Sequence, residues 1–183
     1  GNDTYSGPYQ NVTGSDGIGD TPYEIDADNQ DNYPLMNPWS SLPVHNINTG
    51  SGYATIQEAI DANETLDEHV IFVDAGIYHE HVTIDKSISL IGDKYNTIID
   101  GNGTGAIVQM TVNNTRITGF TMQNSGLNVK DGAVYIFSSS GGNHISHNII
   151  TGNYRGIYLD GSLNNTIFGN YITDNFYGIY LYS

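Results

Sequence analysis

Five aspartates near the start of the chain are the first candidates for chemistry, in a stretch also rich in glycine and asparagine. They are Asp16, Asp20, Asp26, Asp28 and Asp31. Ca²⁺ is a hard cation that prefers several oxygen ligands, carboxylates above all, so this stretch could hold a calcium ion. It is not a complete EF-hand, because no glutamate stands at the twelfth position counted from Asp16. The alternative is a turn-rich acidic loop without a metal.

Two pairs of histidines have spacings that suit a transition metal. His79 and His81 flank Glu80, and on a regular strand they would project from one face. His144 and His147 form a looser pair. Imidazole is a ligand for Zn²⁺ and Cu²⁺. We favour the alternative that all four are surface histidines beside turns, and we expect no cofactor apart from the candidate calcium ion.

Three tyrosines, Tyr135, Tyr158 and Tyr180, recur at intervals of 23 and then 22 residues. If each interval is one turn of a coil, their side chains form an outward column. Tyrosine faces stack on sugar rings, so the column could bind a linear glycan. The alternative is that the rings only stabilise neighbouring strands or pack laterally against another copy.

Six Asn-x-Thr sequences are candidate sites of N-glycosylation. Their asparagines are Asn2, Asn11, Asn63, Asn102, Asn113 and Asn164. Exposed sites of this kind on an acidic chain agree with an extracellular, surface location.

Charge and composition exclude several classes of partner. The 183 residues include 5 Lys and Arg against 20 Asp and Glu, a formal net charge of −15. Such a charge repels phosphate backbones and anionic lipid, so we expect neither nucleic-acid binding nor membrane insertion. No apolar run approaches the ~18 residues that a membrane span requires. The absence of cysteine excludes disulfides and Cys-based metal sites.

A repeat predicts the elements that position these residues. Gly156-Ile157-Tyr158-Leu159 returns as Gly178-Ile179-Tyr180-Leu181, a shift of 22, and asparagines and isoleucines recur with the same shift. Two or three strands of a few residues, joined by bends, make one turn of a solenoid at this period. Alternation then sends Ile157 and Leu159 inward and Tyr158 outward. We therefore predict an all-β, parallel β-helix of roughly five turns with stacked asparagines at its bends.

The start of the solenoid has a recognisable cap. Thr55-Ile56-Gln57-Glu58 is a capping box, and Ile56, Ala59 and Ile60 form an apolar stripe. We expect a short amphipathic helix near residues 55–63 that covers the first turn.

Residues 53–183 resemble the NosD-type right-handed parallel β-helix family of the pectin-lyase-like superfamily. The residues that carry the resemblance are Thr55–Ile60, Val73–Tyr78, the strand Ile88–Gly92 and the Gly-Ile-Tyr-Leu repeats. The resemblance implies a right-handed coil with three sheets per turn, as found in archaeal cell-surface proteins. The superfamily also includes polysaccharide lyases, hydrolases and pectin methylesterases. The outward repeat positions here carry Tyr, Ser and Asn rather than clustered carboxylates, so we expect no enzyme.

Residues 1–43 do not repeat, and the domain boundary is expected between this loop-rich acidic extension and a β-helix of residues 44–183. The extension resembles the segment that closes the C-terminal end of such a solenoid, but here it comes first. Leu181, Tyr182 and Ser183 meanwhile leave a turn without a closing sequence, an edge that exposes apolar side chains and unpaired strand groups. Either the extension of another copy covers that edge head to tail, or neighbouring modules of a longer chain do.

These observations favour a non-catalytic structural module of an extracellular or cell-surface assembly, such as a sheath, filament or surface layer. A carbohydrate-binding module that uses the tyrosine column is the alternative. A polysaccharide-active enzyme is the third possibility.

Overall fold

The chain divides into two units, Gly1–Ser40 and Ser41–Ser183. The structure is a computed structural model, and it describes residues 41–93, 96–138 and 140–183 in full. In the first unit it describes the backbone of four short strands, which form two antiparallel pairs. They are β1 (Tyr5–Ser6) with β2 (Val12–Thr13), and β3 (Tyr23–Asp26) with β4 (Asn29–Asp31).

The second unit is a parallel β-solenoid of five turns, called rungs below, with one short helix, α1 (Ile56–Asp61). Each rung contributes one strand to each of three sheets. The first sheet contains β7 (Val70–Val73), β10 (Ser89–Gly92), β13 (Arg116–Thr118), β16 (His144–Ser146) and β19 (Thr166–Phe168), preceded by the antiparallel strands β5 (Val44–Asn46) and β6 (Ser51–Tyr53). The second contains β8 (Gly76–Tyr78), β11 (Thr97–Thr104), β14 (Thr121–Ser125), β17 (Ile149–Thr151) and β20 (Tyr171–Thr173). The third contains β9 (Val82–Ile84), β12 (Val108–Met110), β15 (Val134–Ile136), β18 (Arg155–Asp160) and β21 (Tyr177–Tyr182).

Strand register confirms the repeat read from the sequence. Tyr135 pairs with Tyr158, and Tyr158 pairs with Tyr180, as the Gly-Ile-Tyr-Leu spacing predicts. All strand pairs between successive rungs are parallel. The parallel β-helix is therefore confirmed.

The core consists of aliphatic columns that run along the axis of the solenoid. Because side chains alternate along a strand, every second residue faces inward. In the first sheet one column contains Ile71, Leu90, Ile117, Ile145 and Ile167. The first four are fully buried, whereas Ile167 of the last rung is only partly buried. Burial thus decreases at the C-terminal end of the column.

Asparagine ladders hold the bends of the last two rungs together. The Asn148 side-chain amide donates to the Asn170 Oδ1 at 3.1 Å, and the Asn153 amide donates to the Asn175 Oδ1 at 2.9 Å. The predicted stacking is confirmed. The left-handed backbone conformation at this bend falls one residue before Asn148, at His147 with φ 54°. That residue makes the bend, and the ladder asparagine after it returns to a conformation from which its side chain can bond the neighbouring rung.

Helix α1 begins as the capping box predicts. Thr55 is the N-cap, and its Oγ1 accepts a hydrogen bond from the Glu58 amide at 3.1 Å. The Glu58 carboxylate accepts from the Ala54 amide, one residue before the N-cap. Ile56, Ala59 and Ile60 are fully buried, so the predicted apolar stripe faces the core.

Candidate functional site

The last rung, formed by β19, β20 and β21, exposes side chains that are buried in the rungs before it. Ile157 and Leu159 of the preceding rung are 0% and 7% exposed. Their partners in the next strand, Ile179 and Leu181, are 49% and 73% exposed. Among the described strands, each strand of this rung is also the last in its sheet and has a strand neighbour on one side only. Leu181 and Tyr182 of the predicted edge lie in this rung, which is called the open rung because its apolar side chains are exposed among the described residues.

Aromatic residues surround this open rung. Where earlier rungs carry Ser146, Ile149 and Asp160, the last rung carries Phe168, Tyr171 and Tyr182. The exposed aromatic residues of the last rung are Phe168, Tyr171, Phe176, Tyr177 and Tyr182, between 40% and 71% exposed. Aromatic side chains supply large contact areas at protein interfaces, and contiguous exposed apolar patches mark interaction sites. The open rung thus has the composition of an interface.

The opposite end of the solenoid is sealed by α1. The Gln57 side chain hydrogen-bonds the backbone of Thr83 in β9, accepting from its amide at 2.7 Å and donating to its carbonyl at 3.2 Å. It takes the place that a neighbouring strand would occupy, so this edge of the sheet is blocked.

Two charged side chains of the first rung fasten the ends of the helix. The Glu80 carboxylate accepts from the Ile56 and Gln57 amides, both at 3.1 Å. The Lys86 ammonium donates to the carbonyls of Ile60 and Ala62 at 2.7 and 2.9 Å. A negative charge at the N-terminus and a positive charge at the C-terminus both favour the helix. Helix α1 therefore covers the first rung, while the last described rung exposes its apolar side chains.

The tyrosine column forms as predicted, but most of it is covered. Tyr135 and Tyr158 stack with ring centroids 4.9 Å apart and are 3% and 4% exposed. The Tyr135 hydroxyl donates to Asp160 at 2.6 Å; burial and this carboxylate together raise the pKa of Tyr135. Of the three predicted glycan contacts only Tyr180 is partly exposed. The column offers no continuous row of open ring faces to a glycan.

A buried arginine explains much of this covering. Arg155 is 5% exposed, and its guanidinium lies 4.6 Å from the ring centre of Tyr180 and 5.0 Å from that of Tyr158. Nη1 donates to the carbonyls of Asn128 and Val129, which ties the loop between β14 and β15 to this side chain. Cation–π contacts thus stabilise a charge that has no carboxylate partner among the described residues.

Sequence reasoning missed Arg155, Gln57, Glu80 and Lys86. A signal for Arg155 was present: it stands where the next repeat has Tyr177, beside the tyrosine motif. The other three lacked such a signal, because their roles depend on where α1 docks against the first rung.

The candidate histidine ligands belong to no group of three or more potential metal ligands among the described residues. Residues 79–81 lie between β8 and β9, so the regular strand on which His79 and His81 would share a face is not formed. Both ring nitrogens of His81 have partners, the Ala106 carbonyl at 2.9 Å and the Thr104 hydroxyl at 3.1 Å. His147 packs edge-on against Phe168.

The candidate calcium ligands fall on the first unit. Asp16, Asp20 and Asp28 lie outside the described residues, and Asp26 and Asp31 are described only as backbone of β3 and β4. In the parts of the chain that are described, no group of three or more His, Asp or Glu side chains is arranged to hold a metal.

The candidate glycosylation sites lie in both units. Asn2 and Asn11 are outside the described residues, while Asn63, Asn102, Asn113 and Asn164 are all exposed. The only helix in the described ranges, α1, has six residues, too few to cross a bilayer.

Comparisons with known proteins agree with the fold. Residues 39–183 match the family model described as "Periplasmic copper-binding protein (NosD)". A "Cell surface glycoprotein" of Methanothermus fervidus is 34% identical over 77 residues, which cover 42% of this chain and 13% of that protein. The chain therefore corresponds to a small part of that relative.

Among solved structures, a crystal structure of pectin methylesterase in complex with hexasaccharide VII superposes with a TM-score of 0.51. It is 18% identical, and the match covers 63% of this chain and 44% of that one. At this identity the likeness establishes the pectin-lyase-like fold alone.

Among the described residues, no group of three or more His, Asp or Glu side chains is arranged to hold the copper that the family description names. Copper is held by imidazole nitrogens and by thiolate or thioether sulfur. His45 Nε2 contacts Asp74 at 3.0 Å, and His69 Nδ1 contacts Asn46 at 3.1 Å. These rings, like that of His81, make hydrogen bonds within the solenoid. The thioethers of Met110 and Met122 are fully buried in the core.

Proposed function

The chain belongs to the NosD family, and from this membership we propose that it is a non-catalytic structural module of an extracellular surface assembly. The observation that carries the proposal is the contrast between the first rung, which α1 covers, and the last described rung, whose apolar side chains are exposed. The first rung is fastened to α1 by Glu80, Gln57 and Lys86, whereas the last presents Ile179, Leu181 and an aromatic surround. A surface location is supported by the likeness to a cell surface glycoprotein and by the acidic composition.

The module acts by continuing its strands into whatever covers the open rung. Main-chain hydrogen bonds to β19, β20 and β21 supply affinity, and burial of the exposed apolar side chains supplies the driving force. The finer proposal is a head-to-tail contact, in which the extension 1–43 of one copy covers the open rung of the next. A contact between two different surfaces generates an open filament unless rotation closes a ring.

Cysteine cross-linking tests this arrangement without background, because the chain contains no cysteine. A Tyr182→Cys copy is mixed with a Ser6→Cys copy and treated with a short bis-maleimide. Head-to-tail contact predicts a mixed dimer linked between positions 182 and 6. Leu127→Cys is the matched control, since Leu127 is 77% exposed but lies outside the last rung; it should give no such product. Linkage only between two copies of Tyr182→Cys, or a monomer at every concentration, would overturn the head-to-tail proposal.

A substitution on the same surface tests the apolar driving force. Leu181→Arg places a charge in the open rung, whereas Leu127→Arg places one on an equally exposed loop. Light scattering should show loss of association for the first variant and none for the second. Equal behaviour of the two variants would argue against the open rung as the contact surface.

A further inference from the structure

Strand β11 contains a three-residue bulge that projects from the solenoid wall. Asp100 pairs with Gln123 and Thr104 pairs with Ser125, so residues 101–103 face a single residue of β14. Asn102 has φ 52° and Gly103 has φ 72°. The bulge is closed by the Asn102 amide, which donates to Asp100 Oδ1 at 2.9 Å.

The Asp100 carboxylate is held in place by hydrogen bonds and so fixes the start of the bulge. Its Oδ2 accepts from the side-chain amides of Gln123 and Asn124, both at 2.8 Å. Burial alone would raise the pKa of Asp100, but these hydrogen bonds and the Asn102 amide outweigh it, and the pKa is lowered. The carboxylate therefore stays ionised and keeps the bulge in one shape.

Within this bulge the sequence Asn102-Gly103-Thr104 is exposed at all three residues. A methyl group added at Gly103 would meet no atom within 4 Å, so the space around the bulge is open. The Asn102 carboxamide has no hydrogen-bond partner in the described part of the chain. The Thr104 hydroxyl donates to the Gly101 carbonyl within the bulge and also contacts the exposed His81 ring, both at 3.1 Å.

The sequons at Asn63 and Asn113 are tied into the fold. Thr65, the third residue of the first, is 1% exposed, and its hydroxyl donates to the Ala59 carbonyl at 2.7 Å. Thr115, the third residue of the second, is 0% exposed. The Asn113 Oδ1 also accepts from the Gly141 amide at 2.7 Å. Neither sequon can present both its carboxamide and its hydroxyl without local unfolding.

The sequon at Asn164 is anchored through its middle residue. Asn165 Oδ1 accepts from the Asn143 amide at 3.1 Å, as part of the ladder at this bend. Its side-chain amide donates to Ser162 at 3.0 Å. If residues 164–166 entered the active site of a transferase, the hydrogen bond between Asn165 and Asn143, which joins the last two rungs, would break.

We propose that Asn102 is the residue of the folded solenoid that accepts an N-linked oligosaccharide. The donor is a lipid-diphosphate-linked oligosaccharide, and a transferase catalyses the reaction. A bond forms between Asn102 Nδ2 and C1 of the first sugar, while the bond from C1 to the diphosphate oxygen breaks. The carboxamide loses one proton, and the lipid diphosphate departs as the leaving group.

The position suits a surface module, and the inference rests on the extracellular location proposed above. Strand β11 belongs to the second rung, three strand pairings away from β20 in the same sheet. A glycan on Asn102 therefore leaves the open rung free for assembly.

The test is transfer to the folded full-length chain in vitro, with a purified oligosaccharyltransferase and its lipid-linked donor. Peptide mass spectrometry then measures occupancy at each sequon, on the native chain and on chain unfolded in urea and diluted immediately before reaction. We expect occupancy at Asn102 at least tenfold above that at Asn63, Asn113 or Asn164 on the native chain, with smaller ratios on the unfolded chain. Thr104→Ala should abolish modification at Asn102, while Thr166→Ala should leave it unchanged.

Equal occupancy at all sequons of the native chain, or an unmodified Asn102 beside a modified Asn113, would overturn the inference. Circular dichroism of each variant confirms that the solenoid is intact. Cross-linking between positions 182 and 6 is scored on the same samples, so a failure of the glycan site is distinguished from a failure of the assembly.

Discussion

Replacing Asn153 by alanine measures how strongly the asparagine ladders hold the rungs together. Asn153 is 4% exposed, and its Oδ1 accepts from the Ser125 amide at 3.0 Å. Its side-chain amide donates to the Met122 and Thr151 carbonyls and to Asn175 Oδ1, at 3.1, 2.9 and 2.9 Å. Alanine leaves at least the Ser125 N–H and the Met122 C=O without this partner, at about 1–3 kcal/mol for each buried group. We expect the free energy of unfolding to fall by about 3 kcal/mol.

Asn143 supplies a matched control with the same change of side-chain volume. It is 0% exposed and its Oδ1 accepts from the Thr115 amide at 2.9 Å. Its side-chain amide, however, has no partner among the described residues. Asn143→Ala therefore removes one hydrogen bond together with a buried donor that was already unsatisfied, and should cost about 1 kcal/mol.

Urea unfolding followed by far-ultraviolet circular dichroism measures both variants in dilute protein. Because the rungs of a solenoid can unfold in steps, hydrogen exchange at β14 and β17 should accompany the equilibrium curves. If Asn143→Ala destabilises the chain as much as Asn153→Ala, the number of ladder hydrogen bonds does not determine rung cohesion and the reasoning is refuted.

Three further predictions concern helix α1, the buried Tyr78 side chain and copper. Lys86→Met removes two charge-assisted hydrogen bonds to the end of α1 and should lower the free energy of unfolding by about 2 kcal/mol. Lys130→Met is the control, since Lys130 is exposed and lies 3.9 Å from Asp160; it should change the free energy of unfolding by less than about 0.5 kcal/mol in thermal unfolding. Similar effects of the two variants would contradict the role of Lys86 in fastening α1. Burial, with the nearby Asp74 and Glu80 carboxylates, raises the pKa of Tyr78 to about 12. Its stabilising contribution is then present below about pH 10, the value for an unfolded chain, and is lost as the pH rises towards 12, so denaturant titrations should show a steeper alkaline loss for the native chain than for Tyr78→Phe. Calorimetric titration with Cu²⁺ should show no stoichiometric binding to the solenoid, and a saturable site that is lost on replacing a described histidine would contradict that expectation.

Periodic features of this protein could be predicted from sequence because they depend on spacing alone. The inward Ile157, the outward Tyr158 and the ladder partners Asn148 and Asn170 all follow from a period near 22. Each is a local alternation repeated along one axis, so one turn determines the next. The capping box at Thr55 was equally accessible, since its residues are contiguous.

Features that depend on contacts across rungs or on insertions could not be predicted. Tyr135 packs against Phe137 with ring centroids 4.4 Å apart, and the Arg155 guanidinium lies 5.0 Å from the ring centre of Tyr158. Neither contact follows from the repeat. His79 and His81 would share a face on a regular strand, but residues 79–81 lie between β8 and β9. Glu80, between them, serves α1 instead, a contact 23 to 24 residues away in sequence.

The most direct test of the central claim is hydrogen exchange in strand β21, Tyr177–Tyr182, as a function of protein concentration. If the open rung is the surface through which modules join, its backbone amides gain strand partners on association, and their exchange should slow by at least tenfold between dilute and concentrated protein. Exchange in β15, already paired on both sides, should stay constant. Association of the chain with unchanged exchange in β21 would contradict the claim.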